Sequence, residues 1–87
     1  MTTVIAVHDV DDVARWLSSS KRAEFFGAHG MTVRTFVSPG GGQRVGLIIE
    51  NVPSLEALTE ALHGDDAAEA MKHDGVIPDT VELFVAS

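Results

Sequence analysis

Close to the middle of the 87-residue chain, Pro39-Gly40-Gly41-Gly42 separates two runs rich in β-branched and apolar residues, 31–38 and 43–50. Proline presets one turn position, and consecutive glycines reach backbone conformations that other residues avoid. The two runs therefore read as antiparallel strands of one hairpin. A phosphate loop is the competing reading of the glycines. No Lys-Ser or Lys-Thr follows them, and a strand rather than a helix comes next, so the hairpin is preferred.

The rest of the chain arranges itself around that hairpin. Residues 3–8 form a β-branched run ending in the acidic stretch 9–12, where Asp9 or Asp11 suits the cap of a helix. Val13, Trp16 and Leu17 follow at helical spacing. Ser18-Ser19-Ser20 interrupts the pattern, because three serines compete for backbone hydrogen bonds, and a second short helix carries Ala23, Phe25 and Phe26 before Gly27 or Gly30 ends it. After the hairpin, Pro53-Ser54 opens a helix with Leu55, Leu58 and Leu62 on one stripe, and Gly64 stops it. Asp66 and Glu69 resemble a capping box for a further helical segment through Met71 and Lys72. Gly75 ends that segment, Pro78 prevents its resumption, and residues 80–86 form the last strand. The order is β-α-β-β-α-β, an α+β class, in one domain spanning residues 1–87.

Side chains alternate across strands, and the alternation here is unusual. Val33, Thr35 and Val37, Val45, Leu47 and Ile49, and Val81, Leu83 and Val85 make one apolar face. The opposite face mixes Arg34, Arg44, Glu50 and Glu82 with Phe36, Ile48 and Phe84. Two helices cover only one face of a four-stranded antiparallel sheet, and a solvated second face should be more cleanly polar than this. The expectation is a homodimer in which these second faces meet and the paired sheets close into a barrel.

Composition narrows the chemistry. No cysteine is present, which removes disulfides, thiolate metal sites and a cysteine nucleophile. A formal charge of −7, from 13 acidic and 6 basic residues, disfavours nucleic acid as a partner. No apolar run approaches a membrane span or a signal-peptide core, so no membrane partner and a cytoplasmic location are expected.

The βαββαβ order resembles the dimeric α/β-barrel proteins with a ferredoxin-like fold, in particular small stand-alone members near the antibiotic-biosynthesis monooxygenases. The matching stretches are Asp-Val-Ala-Arg-Trp-Leu at 12–17, Gly30 before the second strand, Arg-Val-Gly-Leu-Ile-Ile-Glu at 44–50, and Ala-Met-Lys-His-Asp-Gly-Val at 70–76 followed by Pro78. The resemblance implies a dimeric barrel and a small hydrophobic, often aromatic, ligand. Cofactor-free oxygenation and isomerisation are among the activities of such proteins. It does not extend to haem degradation. Those relatives use an asparagine on the first strand and a tryptophan and histidine near the second helix, whereas here the only Asn is Asn51, the only Trp is Trp16, and only His73 is comparably placed.

Among side chains able to do chemistry, His8 ends the first strand at a rim, and His73 sits late in the last helical segment beside Asp74. Both are candidate acid–base groups, although His73 equally suits a purely electrostatic place at a helix C-terminus. His29 and His63 read as surface residues near helix ends. No two histidines have metal-ligand helical spacing; a site from His8, His73 and Asp74 is the one arrangement conceivable, and neither metal nor cofactor is expected. Arg34 is either the partner of Glu82 in a covered ion pair or a binder of a ligand oxygen. Trp16, Phe25, Phe26, Phe36 and Phe84 line an apolar pocket or simply fill the core. Beside the enzyme reading stand a ligand-sensing or accessory protein and a purely structural dimer.

Overall fold

A computed structural model describes residues 1–87. Its strands are β1 (Thr2–Asp9), β2 (Thr32–Val37), β3 (Arg44–Val52) and β4 (Glu82–Val85), and its helices are α1 (Val13–Ser18), α2 (Lys21–Ala28), α3 (Leu55–Leu62) and α4 (Asp65–Asp74). The strands form one antiparallel sheet in the order β2-β3-β1-β4. Each helical pair crosses between strands that are not neighbours, the split arrangement of the ferredoxin-like fold. No helix is long and apolar enough to cross a membrane.

The hairpin joins β2 to β3, with Gly41 and Gly42 at φ 83° and 96°, values that require glycine. Pairing puts Val4 opposite Ile49, Ala6 opposite Leu47 and His8 opposite Val45. Alternate residues of the two central strands are thereby buried together, while Leu83 and Val85 of β4 join the same face. Near its end β3 carries one extra residue. The register shifts between Thr2 and Val4, and Asn51 takes φ 61°. Asparagine tolerates that left-handed conformation, and the resulting bulge turns Val52 into the core at full burial.

Both helical connections are broken in two, as the serine run and Gly64 imply. The caps differ in detail from expectation. Asp12, rather than Asp9 or Asp11, caps α1 by accepting from the Arg15 amide at 3.1 Å. Asp11 is drawn instead to the Arg15 side chain at 3.3 Å. Ser54 caps α3 through the Ala57 amide at 3.1 Å. No capping box forms at Asp66, because α4 begins one residue earlier, with Gly64 extended before it. Beyond α4, residues 78–80 make a single 3-10 turn and the last strand is shorter than expected.

The core lies between the sheet and the helices. Trp16, Leu58, Val4, Val10, Val52 and Ile49 are its most completely enclosed side chains. The other face of the sheet is uncovered in the single chain, where Ile5, Phe36 and Phe84 are exposed.

Candidate functional site: a cavity between sheet and helices

Small side chains on the sheet and on α4 leave room between the two layers. Ala6 on β1 and Ala67 and Ala70 on α4 face a space walled by Trp16, Phe26, Leu47 and Met71. The cavity is small, about 80 Å³, and 12 of its 15 lining residues are hydrophobic. The exceptions, His8, Arg22 and Asp74, are the chemically active ones.

His8 is brought there by strand alternation, since it shares the buried face with Val4 and Ala6. It is 5% exposed and meets Trp16 edge to face, with ring centroids 5.6 Å apart. Burial pushes its imidazole pKa below the ordinary value. Its Nδ1 lies 3.4 Å from the Asp9 carbonyl oxygen. A carbonyl only accepts, so this contact is a hydrogen bond in the tautomer that carries its proton on Nδ1, which leaves Nε2 with its lone pair.

Arg22 on α2 is almost as deeply placed. Its guanidinium stacks over Trp16 at 4.3 Å from the ring centre and donates from Nη1 to the Trp16 carbonyl at 3.1 Å. The same nitrogen is 3.6 Å from Asp74 Oδ2, with the two side chains 10% and 5% exposed. Burial lowers the Arg22 pKa, and the Asp74 charge opposes that shift. Asp74 Oδ1 in turn meets His73 Nδ1 at 2.9 Å. Asp74 is thus shared between a buried cation and a half-exposed imidazole.

Asp74 is held in place by the chain that follows it. Gly75 at φ 73° ends α4, and the amides of Gly75 and Val76 donate back to the Lys72 and Met71 carbonyls. Val10 bridges Val76, and the Asp11 amide donates to the Gly75 carbonyl at 2.9 Å. The end of β1, which carries His8, is therefore stitched to the end of α4, which carries Asp74.

Of the side chains singled out in the sequence, His8, Trp16, Phe25 and Phe26 line this cavity. His73 reaches it only through Asp74; its own side chain borders a separate polar cleft between α2 and α4. Arg34, Phe36 and Phe84 do not come to the cavity at all. Phe84 pairs with Ile5 and Phe36 with Gly46, which places both on the open face of the sheet by strand alternation. Arg34 lies there too, 3.8 Å from Glu50 rather than paired with Glu82, which Arg44 holds at 2.7 Å. No three His, Asp or Glu side chains are grouped to hold a metal ion. Arg22 escaped sequence reading because Lys21-Arg22 follows three serines and looks solvated. Its spacing of four from Phe26 was the available signal, since it puts both on one helical face.

Neither a protein-family model nor a curated protein sequence matches the chain. Solved structures do. An antibiotic biosynthesis monooxygenase superposes with a TM-score of 0.63 at 14% identity, covering 100% of this chain and 97% of that one. A Bacteroides thetaiotaomicron protein of unknown function, described as a possible oxidoreductase, gives 0.53 at 16% identity, with 98% and 92% covered. An EthD family protein from Bacillus halodurans gives 0.52 at 14%, with 100% and 98% covered. At these identities the likeness is one of architecture, and it spans nearly the whole of each chain. The chain has the ferredoxin-like α+β fold of the antibiotic biosynthesis monooxygenase-like proteins.

Proposed function

We propose that this protein binds, and converts without a cofactor, a small hydrophobic or aromatic metabolite in the cavity between sheet and helices. The observation that carries this reading is the cavity itself: apolar walls interrupted only by a buried neutral histidine and a buried ion pair. Such a site excludes water from an aromatic ring while offering one base and one cation to its polar substituent. His8 is the proposed proton acceptor, with Nε2 as the basic atom, and Arg22 takes the oxygen-binding role that Arg34 is too distant to fill. In either form, oxygenation or isomerisation, His8 takes an acidic proton from the ligand's polar substituent, and the oxygenase form then takes dioxygen as its oxidant. The monooxygenase and possible oxidoreductase among the structural neighbours support the oxygenase form. The working unit is proposed to be a homodimer joined through the open sheet faces, where Phe36 and Phe84 serve assembly and not the ligand.

Trp16 is the single tryptophan and forms part of the cavity wall, so its fluorescence reports occupancy directly. Titration with toluene and naphthalene is expected to change Trp16 emission saturably. His8→Asn should leave that binding within about threefold and reduce any turnover by about 100-fold or more, the usual scale of a lost general base. An emission spectrum indifferent to every apolar ring compound would sink the ligand-binding reading.

A further inference from the structure

The closed cavity is smaller than the ring it suits. An apolar protein cavity of about 150 Å³ holds one benzene ring, whereas this one has about 80 Å³. An aromatic ligand therefore enters only if a wall yields. Most of the walls are fixed. Trp16, Ile49 and Ala67 are wholly enclosed, and Arg22 is tied to the Trp16 carbonyl and to Asp74. Val81 borders the cavity at 37% exposure, but its β-branched side chain is stiff and its displacement frees little room.

Phe25 differs from all of these. It and Ala70 are the two residues that line both the cavity and the polar cleft between α2 and α4. The contribution of α4 to that shared wall is one methyl group, so the phenyl ring is the bulk of the partition. The cleft behind it has about 460 Å³ of open space, room enough to receive the ring. Phe25 is half-buried, nearly perpendicular to Phe26 and tilted against His29, with ring centres 5.1 Å apart in both pairs. Its helix is lightly held. α2 has eight residues, no side-chain hydrogen bond at its Ser20 cap, and Gly27 in its interior.

Resting on the cavity reading above, we propose that Phe25 is the yielding wall that sets which ring sizes the cavity accepts. Its phenyl ring turns into the cleft as the ligand's ring takes its place. The turn exposes part of Phe25, and burial of the ligand ring offsets that cost. Phe25 is thus a specificity-determining residue, and the cleft acts as the space that receives it.

The test titrates toluene and naphthalene while following Trp16 fluorescence and the NMR signals of the His29 ring protons. His29 touches Phe25 but does not line the cavity, so its signals are expected to shift with toluene and saturate together with Trp16 emission. Phe25→Ala should bind toluene about tenfold more tightly, because no closed population then has to be overcome, and naphthalene by a larger factor still. Phe25→Leu keeps an apolar contact with Phe26 and should give the same order with smaller gains, should the alanine variant fail to fold. Ala28 lies one helical turn beyond Phe25 and lines only the cleft. Ala28→Leu fills the space the ring turns into and should weaken both ligands about fivefold. Saturable Trp16 emission with the His29 signals unmoved, or with affinities unchanged in all three variants, overturns the proposal and leaves the cavity reading intact. Binding by the Phe25 variants alone makes Phe25 a fixed wall and overturns it too. No response to either ring compound in any of these proteins removes the cavity reading itself.

Discussion

At the scale of single residues, His8 contributes to both stability and the site. The folded chain holds its pKa below the ordinary 6.5 through burial, so the unfolded chain binds the proton more tightly. Stability therefore rises with pH across the window below 6.5 and is lost as pH falls through it, by up to about 1.4 kcal/mol per pH unit. Urea denaturation between about pH 7 and pH 5 should show this slope, and His8→Phe, which keeps a buried ring but no titration, should flatten it. An unchanged slope in His8→Phe would assign the effect elsewhere. The place of His8 was legible, because a histidine closing a β-branched run faces either core or rim. Its depth was not, since that depends on Trp16 arriving from the next helix. Arg22 was hidden for the same kind of reason: its partners Trp16 and Asp74 lie on other elements, and a cation beside a serine run looks like a solvated one.

At the scale of elements, the decisive joint is the one between the ends of β1 and α4. Gly75 needs its left-handed φ, and a Cβ there would run into the Asp11 carboxylate and Arg15 guanidinium. Gly41 also has positive φ but has open space around it. Gly41→Ala should therefore cost only the backbone penalty, about 1–2 kcal/mol. Gly75→Ala should cost the same penalty plus at most about 1 kcal/mol in thermal or urea unfolding, because the exposed ends of Asp11 and Arg15 can swing aside. A loss several kcal/mol greater than that of Gly41→Ala would mean that the joint is more rigid than these side chains allow. Most element boundaries were readable from local chemistry, since proline, glycine and serine act through their own backbone: the hairpin, the Ser54 cap and the stop at Gly75 all follow this way. The choice of Asp12 over its neighbours was less so. Three acids in four residues compete for one cap, and the contact of Asp11 with Arg15 settles which one is free.

At the scale of the whole molecule, the sheet has two faces with different roles. The helix-side face holds the cavity, and the open face carries Ile5, Phe36 and Phe84 exposed among the cross-strand pairs Arg34–Glu50 and Arg44–Glu82. Strand alternation read from the sequence separated these faces correctly, because the period of two is a backbone property. It did not say which face the helices cover, and so Phe36 and Phe84 were grouped with Trp16 in one pocket. Light scattering is expected to return about twice the 9.2 kDa chain mass, and Phe84→Lys should shift the protein toward monomer by placing a charge in the proposed interface. A wild-type monomer would contradict that assembly. The division of labour between the faces is tested most directly by mapping backbone amide NMR shifts during titration with toluene. Saturable shifts are expected at His8, Trp16, Arg22 and Met71, with Phe36, Ile48 and Phe84 unmoved; shifts confined to the open face, or none at all, would contradict it.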